Sequence, residues 1–219
     1  MREYLNKDKI TLLGHSWGTY YGCNLVLEYP EYYEAYIGTG QLVDFGENEL
    51  AFKEAATEWA GDDAEGMELL SSLHDGGYDG AYFMARNRLM VKYGYDMLVD
   101  GTDYNLFAAQ YFNPYYSLAD FIKVLHAEGT VYDTFLASEE FQKFLLAGRY
   151  KYQIPYFNIN GDQDYQTNYL LAQDYFDRIE APYKKLYLME DTTHGLLESK
   201  SKAFSEILHE VAKWNEAKR

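Results

Sequence analysis

The hexapeptide Gly14-His15-Ser16-Trp17-Gly18-Thr19 limits what this chain can fold into more than any other feature. It follows Ile10-Thr11-Leu12-Leu13, an apolar run that reads as a buried strand. It precedes Thr19 to Glu28, which reads as a helix stopped by Pro30. A serine on a strand-to-helix turn, with a glycine two residues to either side, is a nucleophile elbow. The strained turn pushes the hydroxyl out of the fold, while strand and helix pass close by. Glycine at positions 14 and 18 is expected to leave the room for that. The following helix aims its positive end at the place where an oxyanion would develop. Glycine and serine at this spacing are common in loops, and only the position between strand and helix makes the pattern informative.

The remaining chain divides into two rhythms. Ala35 to Gly40 reads as the next strand, Pro155 to Asn160 as another and Lys184 to Met189 as a fourth. Helices are expected over 167–179 and 200–214. Strands alternating with helices imply a parallel sheet covered on its faces. Between them, 48–60, 64–73, 81–93, 117–126 and 138–146 carry helical spacing of apolar residues. Glycine and aspartate clusters such as Gly61-Asp62-Asp63 separate them. The expected organisation is a core from 1–42 and 153–219, with an all-helical cap over 43–152 that walls the pocket above the strand ends.

Composition narrows the function classes. The net charge of −16 argues against nucleic acid as a partner, which needs lysine and arginine patches. It favours cationic or amine-bearing ligands over anionic ones. No run of apolar residues is long enough to span a membrane, and MREYLNKDKI has no signal-peptide pattern. The single cysteine, Cys23, fits a reducing, cytoplasmic setting and a buried structural thiol. No metal or other cofactor is expected. The 24 tyrosines are unusual and have no account beyond aromatic packing with a polar tip.

Parallel sheets present functional groups at the carboxyl ends of their strands. Here those ends deliver Ser16, then Gly161-Asp162-Gln163-Asp164, then Glu190-Asp191-Thr192-Thr193-His194. A neutral serine hydroxyl needs a base within reach, and the base needs a carboxylate to hold its tautomer. His194 is the best base. His15 adjoins the nucleophile in sequence, so its side chain is expected to point elsewhere; His74 and His126 sit at helix ends, and His209 lies within the closing helix. Asp162, Asp164 and Asp191 all stand near strand ends. The length of turn after Gly161 favours Asp164, with Asp162 as a turn residue.

GHSWGT, YIGTGQLVDFGENE, PYFNINGDQDYQT and LMEDTTHGLLE together resemble the proline iminopeptidase branch of the α/β-hydrolases. The resemblance spans nearly the whole chain and implies an α/β class: the C-terminal part of an α/β-hydrolase parallel sheet with an inserted all-helical cap. It implies Ser16 as nucleophile, Asp164 as acid and His194 as base, acting without a metal on short peptides, amides or esters. The backbone N–H of Trp17 would be one oxyanion donor. Acidic cap residues in such enzymes hold the substrate's ammonium group. Glu47 and Glu49 are candidates, although solvated glutamates at a helix start are the plainer reading.

Only nine residues, Met1 to Lys9, precede the elbow strand. The resemblance implies further strands before it, with a histidine- and glycine-rich loop carrying the second oxyanion donor. Two functions are therefore expected to compete. One is a serine hydrolase of aminopeptidase-like or esterase type; the other is an inactive binding module that persists as a homo-oligomer through the exposed strand edge.

Overall fold

The computed structural model describes residues 1–73, 78–98, 117–136 and 138–218. They form two compact units. One comprises Met1–Asp44, Met97–Val99 and Leu145–Arg219; the other comprises Phe45–Asp96 and Asp100–Phe144.

The first unit is built on four parallel strands in the order β1 (Ile10–His15), β2 (Tyr33–Thr39), β3 (Tyr156–Gly161) and β4 (Lys184–Met189). A short α1 (Arg2–Leu5) precedes them. α2 (Trp17–Glu28) links β1 to β2, and α8 (Tyr169–Arg178) links β3 to β4. α9 (Leu196–Ser199) and α10 (Ser201–Lys218) close the chain. Side chains alternate between the faces of a strand, and two different interiors result. Ala35, Ile37, Phe157, Ile159 and Met189 pack with Leu196, Phe204 and Val211. Phe204, Ile207, Leu208, Val211 and Trp214 recur along α10 at helical spacing, so that helix turns one apolar stripe to the sheet.

The opposite face is lined by tyrosine. Tyr36 and Tyr156 are fully buried and pack with centroids 5.1 Å apart and planes tilted by 56°. The Tyr156 hydroxyl donates to Gln41 Oε1 at 2.9 Å, and Tyr152 and Tyr175 join their hydroxyls at 2.7 Å. Cys23 Sγ lies 3.9 Å from the Tyr156 hydroxyl, and burial pushes the thiol pKa up. Part of the tyrosine excess thus has a structural use: large apolar rings that fill the core, with the hydroxyls of Tyr152, Tyr156 and Tyr175 hydrogen-bonded inside it.

The second unit contains α3 (Phe45–Ala60), α4 (Ala64–Ser71), α5 (Gly80–Lys92), α6 (Leu118–Thr130), a π-helical stretch (Val131–Leu136) and α7 (Glu139–Gln142). Asp63 caps α4 through the N–H of Glu65, and Asp79 caps α5 through that of Tyr82. The periodicity over 138–146 continues as helix only to Gln142. Beyond it the chain returns to the sheet unit, where Leu146 N–H donates to Val43 O and Tyr152 N–H to Glu180 O. Those backbone bonds outweigh the helical pattern and set 145–152 with the sheet unit. No helix among the described residues is long and apolar enough to cross a membrane.

Candidate active site

Ser16 sits at φ 53° and ψ −118°, a left-handed conformation that costs a non-glycine residue energy. Neighbouring bonds hold it there. Its N–H donates to Thr39 O at 2.9 Å, and its carbonyl accepts from Thr19 N–H and from Thr19 Oγ1. Thr19 Oγ1 in turn accepts from Leu42 N–H at 3.1 Å, tying α2 to the end of β2. Trp17 opens α2, so its N–H lies in the first helical turn, where no intrahelical acceptor exists.

The two elbow glycines are not equivalent. A Cβ on Gly14 would fall 2.4 Å from Gly18 O, whereas a Cβ on Gly18 meets nothing within 4 Å. The close approach expected at both positions is confined to Gly14. Gly14→Ala is therefore expected to destabilise the chain by about 1–3 kcal/mol through overpacking. Gly18→Ala, in the first turn of α2, is expected to gain about 0.5–1 kcal/mol from helix propensity. Urea unfolding of the two variants compares them, and equal losses would remove the distinction.

The acid and base sit on the loops after β3 and β4. His194 Nδ1 is 2.8 Å from Asp164 Oδ2, and both side chains are essentially inaccessible. Asp164 is satisfied on every side. Its Oδ1 accepts the N–H groups of Gln166 and Thr167, each at 3.0 Å, and Oδ2 also accepts from Thr167 Oγ1 at 3.1 Å. Asp162 is a turn residue, accepting from Thr192 N–H at 3.2 Å. Asp191, at φ 47°, accepts from Gln163 Nε2.

Two parts of this arrangement were not read from the sequence. Thr167 Oγ1 lies within 3.4 Å of His194 Nδ1 and braces the acid–base pair. Met97 O accepts from Gly195 N–H at 2.6 Å and from Thr193 Oγ1 at 3.0 Å, clamping the residues on both sides of His194. A threonine three residues after a candidate acid was available as a signal for the first. Nothing local announces the second.

His15 was expected to point away from the site and does not. Its ring faces that of His194 with centroids 4.8 Å apart and a tilt of 34°, and Nδ1 lies 2.7 Å from Thr39 Oγ1. His194 thus reaches the residue that precedes Ser16. Among the described residues no hydrogen bond joins Ser16 Oγ to His194. Burial and then the charge of His194 hold the His15 pKa down to about 4 from 6.5. The unfolded chain takes up that proton first as pH falls, so stability from this residue is complete above pH 6.5 and is lost towards pH 4. Of the other histidines, His126 and His209 are exposed on helices, and His74 lies outside the described residues.

Glu47 and Glu49 both belong to α3 in the second unit. Glu47 is exposed in the first helical turn. Glu49 is interior: its Oε2 accepts Arg86 Nε at 3.0 Å and the Tyr82 hydroxyl at 2.9 Å, and its Oε1 accepts Asn48 Nδ2 at 3.1 Å. Its charge is already balanced by arginine, which leaves it neither exposed nor in need of a substrate ammonium group. It is not a solvated helix-start residue either.

No protein-family model and no curated protein matches the sequence. Solved structures match in fold. The chain is similar to a proline iminopeptidase from Mycobacterium smegmatis, with a TM-score of 0.61 and 17% identity over 99% of this chain and 69% of that one. It is similar to the serine hydrolase CCSP0084 of Cycloclasticus zankles, at 0.56 and 16% over 94% and 65%. An α/β fold family hydrolase from Bacillus anthracis gives 0.51 and 17% over 95% and 69%. The chain has the α/β-hydrolase fold. It spans between 65% and 69% of the length of these proteins. The fold puts Ser16, Asp164 and His194 on the ends of β1, β3 and β4, the ends at which doubly wound sheets bind ligands.

Proposed function

We propose that this protein is a serine hydrolase of aminopeptidase-like type, acting on short peptides or small amides with Ser16, His194 and Asp164 as its triad. The observation that carries the reading is the inaccessible Asp164–His194 pair at 2.8 Å, beside an elbow serine strained to φ 53°. Asp164 accepts the Nδ1–H of His194, which leaves Nε2 with a lone pair to take the Ser16 proton. Ser16 Oγ attacks the carbonyl carbon, and the N–H of Trp17 donates to the oxyanion that forms. His194 returns the proton to the leaving amine as the C–N bond breaks, and water then releases the acyl group by the same route in reverse. The similarity to a proline iminopeptidase supports an amine-terminated substrate, and the net charge of −16 favours a cationic one. Fold and triad alone are equally compatible with an esterase.

A fluorophosphonate probe tests the reading directly. It is expected to label the wild-type chain at Ser16 and to leave Ser16→Ala unlabelled. Proline amides and small activated esters, offered side by side, then rank the two substrate classes. An unlabelled wild-type chain that is folded and has intact His194 would overturn the hydrolase reading in favour of a non-catalytic binding module.

A further inference from the structure

The imidazole of His15 adjoins that of His194 without belonging to the acid–base pair. β2 holds it from one side, through Thr39, its register partner, whose Oγ1 lies 2.7 Å from Nδ1. Gly40 closes the arrangement from below. At φ 51°, its bare α-carbon sits where a Cβ would come 2.8 Å from Cε1 and 3.0 Å from Nδ1 of His194, and 3.3 Å from Cε1 of His15. Both rings therefore rest on the same glycine, and no larger residue fits beneath them. His194 is gripped at Nδ1 by Asp164, at its edge by Gly40 and on its face by His15.

We infer that His15 is a positioning residue that fixes the plane of the His194 imidazole and keeps water from its face. Its consequence for catalysis rests on the serine-hydrolase reading; its effect on the ring does not. Of the groups around His15, His194 and Asp164 are titratable, while β2 and the residue after it bring the uncharged Thr39 and Gly40. With a pKa near 4, His15 stays neutral when the proposed mechanism protonates His194 to an imidazolium. A neutral ring adds no like charge against that imidazolium, whereas a second cation 4.8 Å away would oppose it. An aliphatic side chain at position 15 would supply neither the flat face nor the bond to Thr39.

The test reads His194 itself, by titrating the Cε1–H resonances of the full chain as wild type, His15→Ala and His15→Phe. In the alanine variant water reaches the ring and solvates the imidazolium, so the His194 midpoint is expected to rise by about half a pH unit or more. Its Cε1–H resonance should also move when the neighbouring ring is lost. Phenylalanine restores a flat apolar face and should return the midpoint to the wild-type value or below. In turnover of an activated ester, His15→Ala is expected to lower kcat about tenfold with KM within about twofold, since the base is misaligned and not the substrate. Should the alanine variant lose cooperative unfolding, His15→Gln takes its place with the same expectation. Identical His194 midpoints and resonances in all variants would overturn the inference, with or without labelling at Ser16. An unlabelled wild type with a shifted His194 in the variants would overturn only the hydrolase reading.

Discussion

Asp164→Asn is expected to lower kcat by about four orders of magnitude while leaving the fold intact and KM within a few-fold. The size of the effect follows from which atoms Asp164 uses. Its Oδ1 serves the turn, accepting two backbone N–H groups at 3.0 Å, and its Oδ2 serves His194 at 2.8 Å. An asparagine can keep its single oxygen on the turn, so the loop after β3 survives. Its amide N–H₂ then faces His194 Nδ1 and donates to it, which drives the imidazole proton to Nε2. With the proton there, His194 would present a donor to Ser16 where the proposed mechanism needs a base. Steady-state kinetics together with thermal unfolding check both halves of the expectation. A variant retaining a tenth or more of the wild-type kcat would remove Asp164 from the role of acid. Asp162→Asn, which alters only the bond from Thr192 N–H, serves as the control and should change kcat little.

The parts of the site that were legible in the sequence are those encoded locally. Ile10 to Leu13 marks a strand, and the serine after it is followed by helix, so the elbow could be found without any tertiary information. The turn from Gly161 to Asp164 is marked locally by its glycine and aspartates, although Asp162 and Gln163 donate their N–H groups to Met189 O and Thr192 O. His15 failed for a physical reason. Strand alternation gives the direction of a side chain relative to the sheet, but a residue at the last strand position is placed by the contacts at the strand end. Those contacts come from Thr39 and from His194, both distant in sequence. The clamp from Met97 is less accessible still, because its acceptor is a backbone carbonyl that any residue could provide. Gly18 departs from its motif in the opposite sense: motif spacing treats both glycines alike, while the structure crowds only Gly14. At 145–146 a helical pattern lost to backbone pairing within the sheet unit. Periodicity describes which residues are apolar, and it is silent about which backbone groups need partners.

Breaking the Glu49–Arg86 pair from one side is expected to cost the helical unit about 3–5 kcal/mol, because it leaves a buried charge uncompensated. The side chains are 1% and 3% exposed, so water cannot replace the lost partner. In Arg86→Met the carboxylate keeps only the neutral donors Tyr82 and Asn48, and the Phe52 ring loses the guanidinium that lies 4.2 Å from its centroid. In Glu49→Gln the Arg86 Nε–H meets a neutral amide oxygen where it had a carboxylate. Burial, with the adjacent Glu49 charge, pushes the Tyr82 hydroxyl above its ordinary range, so tyrosine ionisation offers no alternative compensation. Removing both charges together, as Glu49→Gln with Arg86→Met, should recover most of the loss, since a packed neutral pair avoids the desolvation that each ion suffers. Urea unfolding of the two single variants and the double variant closes the cycle. The same variants decide what Glu49 is for. A carboxylate that held a substrate's ammonium group would show its loss as a raised KM at nearly unchanged stability. A carboxylate that neutralises Arg86 between α3 and α5 shows it as a lowered unfolding midpoint, with KM for cationic substrates unchanged and Vmax following the fraction folded. An unfolding midpoint for Glu49→Gln equal to that of the wild type would sink the structural assignment and return Glu49 to the list of substrate contacts.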